Sequence, residues 1–185
     1  MGEALAGSQA AYRELVRRYQ GPVLNLVAHM VRDRSEAEDL TQEVFVKAFA
    51  RLGTYDTTRR FASWVFKIAH NHTIDHLRRR QLDTVSLDGS PHAATASDIE
   101  ATTLDARDRN ESALDELESR EIGTAIEAAI ARLRPEYRSC ILLRHVEGRS
   151  YEEIAATLDL PLGTVKTYIH RARHELRHTL GHLRE

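Results

Sequence analysis

The chain has 185 residues, of which 42% are hydrophobic and 29% are charged. This composition excludes collagen-like, mucin-like and wholly disordered chains, and no apolar run reaches the roughly 18 residues of a membrane span. The first 20 residues contain no apolar signal core, so we expect a cytoplasmic protein that does not insert into membranes. The single cysteine, Cys140, cannot form an internal disulfide and is expected to be a small core residue.

Charge is distributed unevenly along the chain, although the net charge is only −2. Residues 1–80 carry 13 Lys and Arg against 9 Asp and Glu, and residues 120–185 carry 11 against 9. The stretch between them, 81–119, carries 2 against 10 and is poor in aromatic side chains. Two mildly basic blocks around an acidic linker indicate two domains whose partner is a polyanion. The C-terminal end of the linker is expected to be helical.

Apolar residues at helical spacing predict four helices in the first block. The first helix follows a Ser8 cap, and the pair Gly21-Pro22 is expected to end it and to start the second. Ser35 and Glu38 form a predicted capping box for the third helix.

A loop, GTYDTTRR, separates the third helix from the fourth and spans 53–60. The fourth helix is expected to end in the basic run 78–80. Trp64 shares an apolar stripe with Phe61 and Ile68, so a core position is favoured for it over base stacking.

The second block also consists of four predicted helices. Apolar spacing from Ile122 to Leu133 gives the fifth helix, and Pro135 opens the sixth, which ends near Gly148. Ser150 and Glu153 form a capping box for a short seventh helix, which a turn at 159–163 connects to the last helix. No segment alternates with the period of two that is typical of strands. The predicted fold class is therefore all-α.

The last two helices form a helix-turn-helix candidate, because a short capped helix precedes a turn and a longer basic helix. The N-terminal end of such a recognition helix contacts base edges, and its free N–H groups favour phosphate. The candidate DNA contacts are Thr164, Lys166, Thr167, His170, Arg171, Arg173 and His174. The alternative interpretation is a solvated helix face in a structural bundle.

With these residues and motifs, the chain resembles the extracytoplasmic-function (ECF) group of bacterial sigma factors. The segment SEAEDLTQEVFVKAF is similar to the polymerase-binding helix of that family, and FASWVFKIAHNHTIDHLRRR to its promoter-melting and promoter-recognition segment. LRPEYRSCILLRHVEGRSYEEIAATLDLPLGTVKTYIHRARHEL resembles region four. The resemblance implies two small helical domains, region two at 1–82 and region four at 119–185, joined by a flexible acidic linker at 83–118.

The resemblance also implies which residues meet each partner. Contact with the β′ clamp helices of RNA polymerase is expected from Asp39, Gln42, Glu43 and Phe45, with Phe45 as an aromatic anchor. Capture of an unstacked base and contact with the −10 promoter element are expected from Thr54, Asp56, Arg59, Arg60, Phe61, Ser63, Asn71, Arg78 and Arg79. The helix-turn-helix candidates are expected to meet the −35 element.

Two of these assignments have alternatives. The carboxylates of the third helix would, in the simpler interpretation, only favour the N-terminal half of that helix. Asp75 is expected to orient Arg78 or Arg79 rather than to contact DNA.

The predicted function is promoter-directed initiation of transcription by a protein that is not an enzyme and needs no cofactor or metal. The expected partners are core RNA polymerase, through the β′ clamp helices and the β flap, promoter DNA and an anti-sigma factor. The free protein is expected to be a monomer. Two interpretations of the acidic linker stay open: a mimic of nucleic-acid phosphate in the polymerase channel, or a solubilising spacer.

Two other functions compete with this prediction. A stand-alone helix-turn-helix regulator, with an effector domain in the first block, would bind duplex DNA without polymerase. A zinc hydrolase would use HELRH, from His174 to His178, which matches the H-E-x-x-H pattern. No third ligand or closed pocket accompanies that match, so no catalytic metal is expected there.

Overall fold

The computed structural model describes residues 1–31, 33–88 and 113–181, with 83–88 and 113–119 described by their backbone alone. All regular structure in these ranges is helical, which confirms the all-α prediction. The elements are α1 (Gly2–Leu5), α2 (Gln9–Val31), α3 (Arg34–Ala50), a 3₁₀ helix (Leu52–Thr54), α4 (Phe61–Asp88), α5 (Ala113–Arg132), α6 (Pro135–His145), α7 (Tyr151–Leu158) and α8 (Leu162–Thr179). None of the described helices is both long enough and apolar enough to cross a membrane.

One continuous helix, α2, runs through Gly21 and Pro22, so the predicted break at this pair is wrong. A proline inside a helix costs about 3 kcal/mol, because it removes one backbone hydrogen bond and crowds the preceding turn. The turns that follow bury an apolar stripe, and each such side chain contributes about 1.5–3 kcal/mol. Packing therefore exceeds the local penalty. The buried stripe consists of Val23, Leu26, Val27, Met30 and Val31.

The helix caps agree with the sequence at two helices and differ at a third. At α2 the predicted Ser8 cap accepts a hydrogen bond from the Ala11 amide at 3.4 Å. Ser150 and Glu153 form the predicted capping box, with Ser150 Oγ 3.1 Å from the Glu153 amide and Glu153 Oε2 3.0 Å from the Ser150 amide. At α3 the cap is Asp33, whose Oδ1 accepts from the Glu36 amide at 2.8 Å, and not the predicted Ser35. A carboxylate at this position also interacts favourably with the positive end of the helix dipole.

Two helical units share one hydrophobic core. In the first unit α2, α3 and α4 pack against one another, and in the second α6, α7 and α8 do the same, with α5 against α8. Cys140 is fully buried in the second unit, where burial raises the pKa of its thiol to about 12. The expectation that Cys140 is a small core residue is confirmed.

The two units also pack against each other, which the sequence did not predict. Helix α7 lies on α4, and α5 and α6 lie on α2. Two ion pairs join the units, Arg60 Nη1–Glu153 Oε1 at 2.7 Å and Lys67 Nζ–Asp159 Oδ2 at 3.3 Å. A hydrogen bond joins His70 Nδ1 and Ser139 Oγ at 2.9 Å. The Arg149 guanidinium also lies 5.3 Å from the centre of the Phe66 ring. The domain boundaries at 82 and 119 stay a prediction.

A buried guanidinium fastens the second unit to the first. Arg138 is 6% exposed and donates hydrogen bonds to carbonyl oxygens at the C-terminal ends of two helices. Helix ends leave such carbonyls without intrahelical partners. The acceptors are Ile130, Ala131 and Leu133 at the end of α5 and His29 and Met30 at the end of α2, with Nη1 2.7 Å from the Met30 oxygen.

Most of the predicted acidic linker lies outside the described residues. Helix α4 continues to Asp88, beyond the predicted end at the basic run 78–80. Helix α5 begins at Ala113, in agreement with the prediction that the end of the linker is helical. Both interpretations of the linker concern residues 89–112 and therefore stay hypotheses.

We expect Arg138→Met to lower the free energy of unfolding by about 2–4 kcal/mol, because carbonyl groups at two helix ends lose a charged donor in a buried place. Urea unfolding followed by circular dichroism measures this change. Arg177→Ala, at an exposed position on α8, is the control and should stay within about 0.5 kcal/mol of the wild type. Equal stabilities for both variants would contradict the role given to Arg138.

We expect the stability of the protein to fall as the pH decreases from 6.5 towards 4. Burial lowers the pKa of His70 from 6.5 to about 4. Between these two pH values, the imidazole binds more protons in the unfolded chain than in the folded one. The slope from this group reaches about 1.4 kcal/mol per pH unit. Urea unfolding between pH 4.5 and 7 should show a shallower slope for His70→Asn, whereas Gln42→Ala, at an exposed position without a titratable side chain, should keep the wild-type slope.

Candidate nucleic-acid and protein interfaces

Three of the four residues predicted to meet polymerase share one exposed side of α3. Asp39, Gln42 and Glu43 stand at helical spacing and are all exposed. Phe45 is instead only 6% exposed, and its ring packs 6.0 Å from that of Phe49 in the core. The prediction of Phe45 as an aromatic anchor at the surface is therefore wrong, because at 100° per residue its position rotates towards the core-facing side of α3.

The apolar residue on this side of α3 is Val46, which sequence reasoning missed. Its side chain is 69% exposed, and it follows Asp39 by seven residues and Gln42 by four, so it continues the same face. This spacing in the sequence would have been enough to place Val46 on the same face as Asp39 and Gln42. We define the α3 face as Asp39, Gln42, Glu43 and Val46.

The loop before α4 is shaped by its own polar groups. Asp56 Oδ1 accepts from the Thr58 amide at 3.0 Å and from the Thr58 hydroxyl at 2.7 Å. These bonds, together with the Arg59 guanidinium, lower the pKa of Asp56. Tyr55 is buried beneath the loop, and its hydroxyl donates to the Arg59 carbonyl. Asp56 therefore holds the loop in shape, and its contact with DNA stays a prediction. Tyr55 is a supporting residue that the sequence prediction missed.

Phe61, another predicted DNA contact, lies in an aromatic cluster under the same loop. It is 5% exposed, with its ring 5.2 Å from Tyr19, 5.9 Å from Tyr55 and 5.6 Å from Trp64. Phe61 is therefore packed mainly within this cluster, and its contact with a base stays a prediction. Trp64 is half-buried against Tyr55 and Phe61, as the sequence predicts.

A groove of about 940 Å³ runs beside this loop, and its lining has four arginines against three glutamates, Glu3, Glu14 and Glu147. We call it the basic groove, after this small excess of positive charge. Arginines from α2, the loop and the second unit line it, and aromatic rings form part of its wall. These residues are Arg18, Arg59, Arg60 and Arg149, with Tyr19, Tyr55 and Phe61. Of the remaining candidates near the loop, Thr54 is exposed and its hydroxyl donates to the Arg51 carbonyl at 2.8 Å, and Ser63 is half-buried.

The candidates on α4 lie beside a second cavity, of about 380 Å³, between the two units. Asn71 and Arg78 are exposed and line it together with Asp75, Glu136 and Tyr168. Arg79 is exposed as well, and its Nε donates to the backbone carbonyl of Asp75 at 3.2 Å. The expected pairing of Asp75 with a neighbouring arginine therefore runs through its backbone and not through its carboxylate.

The recognition-helix candidates form an exposed stripe along α8. Lys166, Thr167, His170, Arg171, Arg173 and His174 are exposed, and Thr164 is half-buried. Their opposite face buries Val165, Ile169 and Ala172. Arg171 Nη1 donates to the Tyr137 hydroxyl at 3.2 Å, so a residue of α6 holds the Arg171 side chain in place. The predicted division of this helix into a buried and a basic face is confirmed.

Among the described residues, the HELRH motif has no third ligand beside it that would complete a metal centre. His174 and His178 lie on the exposed side of α8. In the part of the chain that the structure describes, no three His, Cys, Asp or Glu side chains converge on one point.

Comparison with family models gives each unit its class. Residues 15–82 match the family described as Sigma-70 region 2, and residues 123–176 match the family described as Sigma-70, region 4. The chain therefore has the two-part organisation of a sigma-70 type initiation factor.

Similarity to whole proteins shows which group of sigma factors the chain belongs to. The chain is 34% identical to the ECF RNA polymerase sigma factor SigW of Bacillus subtilis over 179 residues, which cover 96% of this chain and 92% of the relative. It is 33% identical to the ECF RNA polymerase sigma-E factor of Escherichia coli over 174 residues, or 90% and 85% of the two chains. This chain belongs to the ECF RNA polymerase sigma factors.

Two solved structures have the same fold at low sequence identity. The sigma factor RpoE of Bartonella quintana, in complex with the anti-sigma factor NepR, superposes with a TM-score of 0.71 at 22% identity, covering 92% of this chain and 97% of that one. CnrH, in complex with the cytosolic domain of CnrY, gives 0.69 at 23% identity, covering 97% and 94%.

Membership of the family decides between the functions that the sequence left open. Sigma factors bind core RNA polymerase and promoter DNA and direct initiation, and they are not enzymes. The comparisons do not favour a stand-alone regulator, and the hydrolase interpretation of HELRH finds no support.

We expect Val46→Asp to weaken binding to core polymerase about 10-fold without loss of stability, because it places a charge in the apolar part of an exposed face. Phe45→Ala should instead lower the free energy of unfolding by about 3–5 kcal/mol. Competition binding to core polymerase and urea unfolding separate the two effects. Leu5→Asp, at an exposed leucine of α1 outside the α3 face, is the control and should change neither. Tight binding by Val46→Asp would show that Val46 lies outside the contact.

Proposed function

We propose that the two units of this sigma factor divide promoter recognition between them. Residues 1–82 bind polymerase and read and melt the −10 element, residues 119–185 bind the −35 element, and residues 83–118 connect them. The observation that carries this assignment is the presence of two separate exposed faces of suitable chemistry, the α3 face and the basic stripe of α8.

The α3 face is the proposed contact with the β′ clamp helices. It combines two carboxylates, one amide and one exposed valine, a polar surface around a small apolar centre. Such a composition is typical of interfaces that form and dissociate. The β flap is proposed as the second polymerase contact and is assigned to residues 119–185.

The groove beside the loop is the proposed place where the −10 element is read. Extruding a base costs a few kcal/mol, which stacking and phosphate contacts must offset. Four arginines, two of them the loop residues Arg59 and Arg60, supply phosphate and base-edge donors there, and the exposed Thr54 lies earlier in the same loop. Asn71, Arg78 and Arg79 extend this surface along α4. Phe61, Tyr55 and Asp56 support it from beneath.

One of these proposed DNA contacts forms an ion pair with the other unit. Arg60 Nη1 lies 2.7 Å from Glu153 Oε1 of the second unit. Arg60 is 75% exposed, so this ion pair contributes little to stability and its release is inexpensive. Contact of Arg60 with phosphate therefore requires only a local exchange of partners.

An anti-sigma factor is proposed as the regulatory partner, since the RpoE structure, which has the same fold, is a complex with the anti-sigma factor NepR. A cytoplasmic location is proposed because a sigma factor acts with RNA polymerase on DNA. The free protein is proposed to be a monomer.

Size-exclusion chromatography with core RNA polymerase, followed by transcription from a promoter library, tests the proposal. Co-elution and transcripts that start at promoters with a shared −10 and −35 sequence are the expected results. Core binding that survives Asp39→Ala with Gln42→Ala would place the polymerase contact elsewhere. Transcription unaffected by Arg59→Ala would remove the groove from promoter reading.

We expect Arg171→Ala to weaken binding of the −35 element by about 1–3 kcal/mol if the guanidinium reads a base. If it contacts phosphate alone, affinity should fall uniformly across sequences and the salt dependence should decrease by about one unit of slope. Holoenzyme binding to promoters with single changes in the −35 element distinguishes the two. Arg177→Ala, one and a half turns further along α8, is the control.

A further inference from the structure

Two histidines of α4 form hydrogen bonds with carboxylates of α3, and the proposed function gives them no role. His72 and His76 stand one turn apart on α4, and each bonds a carboxylate of α3. His72 Nε2 lies 2.8 Å from Glu43 Oε2, and His76 Nε2 lies 2.7 Å from Glu36 Oε1. The two pairs have the same chemistry, but only Glu43 belongs to the α3 face.

The exposures of the two partners differ sharply in the first pair. The His72 side chain is 4% exposed, whereas the Glu43 side chain is 58% exposed. A buried imidazole therefore holds one oxygen of an exposed carboxylate, and the same oxygen lies 4.0 Å from Lys47 Nζ. In the second pair the Glu36 side chain is itself only 22% exposed.

The partners of His72 fix which of its nitrogens donates. A carboxylate only accepts hydrogen bonds, so Nε2 carries a proton and donates to Glu43. Lys47 Nζ lies 2.7 Å from Nδ1, and an ammonium group only donates, so Nδ1 accepts. Burial first, and then the nearby Lys47 and Arg79, lower the pKa of His72, against the opposing effect of Glu43. The lowered pKa favours the neutral ring near pH 7, so His72 donates to Glu43 as an uncharged imidazole.

We propose that His72 is a positioning residue for the contact with polymerase, because it fixes the Glu43 carboxylate on the α3 face before the partner arrives. Glutamate is flexible, and immobilising a long side chain on binding costs affinity. A hydrogen bond formed in the free protein reduces that cost without neutralising the charge. This inference rests on the proposed role of the α3 face.

The test measures affinity for purified bacterial core RNA polymerase by competition with a labelled copy of the full-length chain. His72→Leu removes the donor and should weaken binding about 3- to 10-fold. His72→Gln places an amide N–H near the position of Nε2 and should restore most of the affinity. His76→Leu, which breaks the equivalent bond to Glu36, is the matched control and should bind as the wild type does.

A double-mutant cycle separates positioning from a structural role. In a Glu43→Ala background, His72→Leu should cause no further loss, because nothing remains to be positioned. An equal loss in both backgrounds, or an equal loss in His76→Leu, would overturn the inference.

Two further outcomes are distinguishable. Unchanged affinity of Glu43→Ala would overturn the polymerase contact proposed for Glu43 as well, whereas a loss in Glu43→Ala without one in His72→Leu would overturn only the positioning role. If His72→Leu fails to fold in a thermal melt, His72→Asn replaces it. The shorter amide does not reach Glu43, so equal binding by the Asn and Gln variants would contradict the inference.

Discussion

The arrangement of the two units depends on one buried guanidinium. Arg138 leaves water almost completely, and an arginine does so only where its N–H groups find acceptors. Free carbonyl groups are concentrated at the C-terminal ends of helices, and Arg138 uses two such ends at once. The first belongs to its own unit and the second to α2, so α6 can occupy only one position on the first unit. The ion pairs Arg60–Glu153 and Lys67–Asp159 lie at the rim of this contact and add little.

Helix α4 connects the functions that the chain combines. On one side its histidines bond the acidic residues of α3, and on another its exposed residues line the cavity next to α8. Its first turn supports the loop beside the basic groove through the aromatic cluster of Phe61 and Trp64. The proposed polymerase contact and the proposed promoter contacts therefore rest on the same helix.

The helices and their buried faces follow from the sequence because local spacing and caps determine them. The Ser150 capping box and the two-faced pattern of α8 are local signals, and both are confirmed. Pro22 misled the prediction because a local penalty was weighed without the long-range burial that offsets it. The prediction for Phe45 was wrong because it relied on residue type. The position of Phe45 around the axis of α3 faces the core, whereas that of Val46 faces the solvent. The contact between the units depends on complementary surfaces from distant segments, and no local pattern encodes it.

The length of α4 has a consequence for how such a protein can vary. With a rise of 1.5 Å per residue, its 28 residues form a rod of about 42 Å. A single residue inserted between His76 and Arg78 would turn every later side chain by about 100° around the rod and leave the earlier ones in place. The angular phase between the α3-facing histidines and the arginines at the far end is thus set by residue count alone. Loops of this chain can change length without disturbing that phase, but α4 cannot.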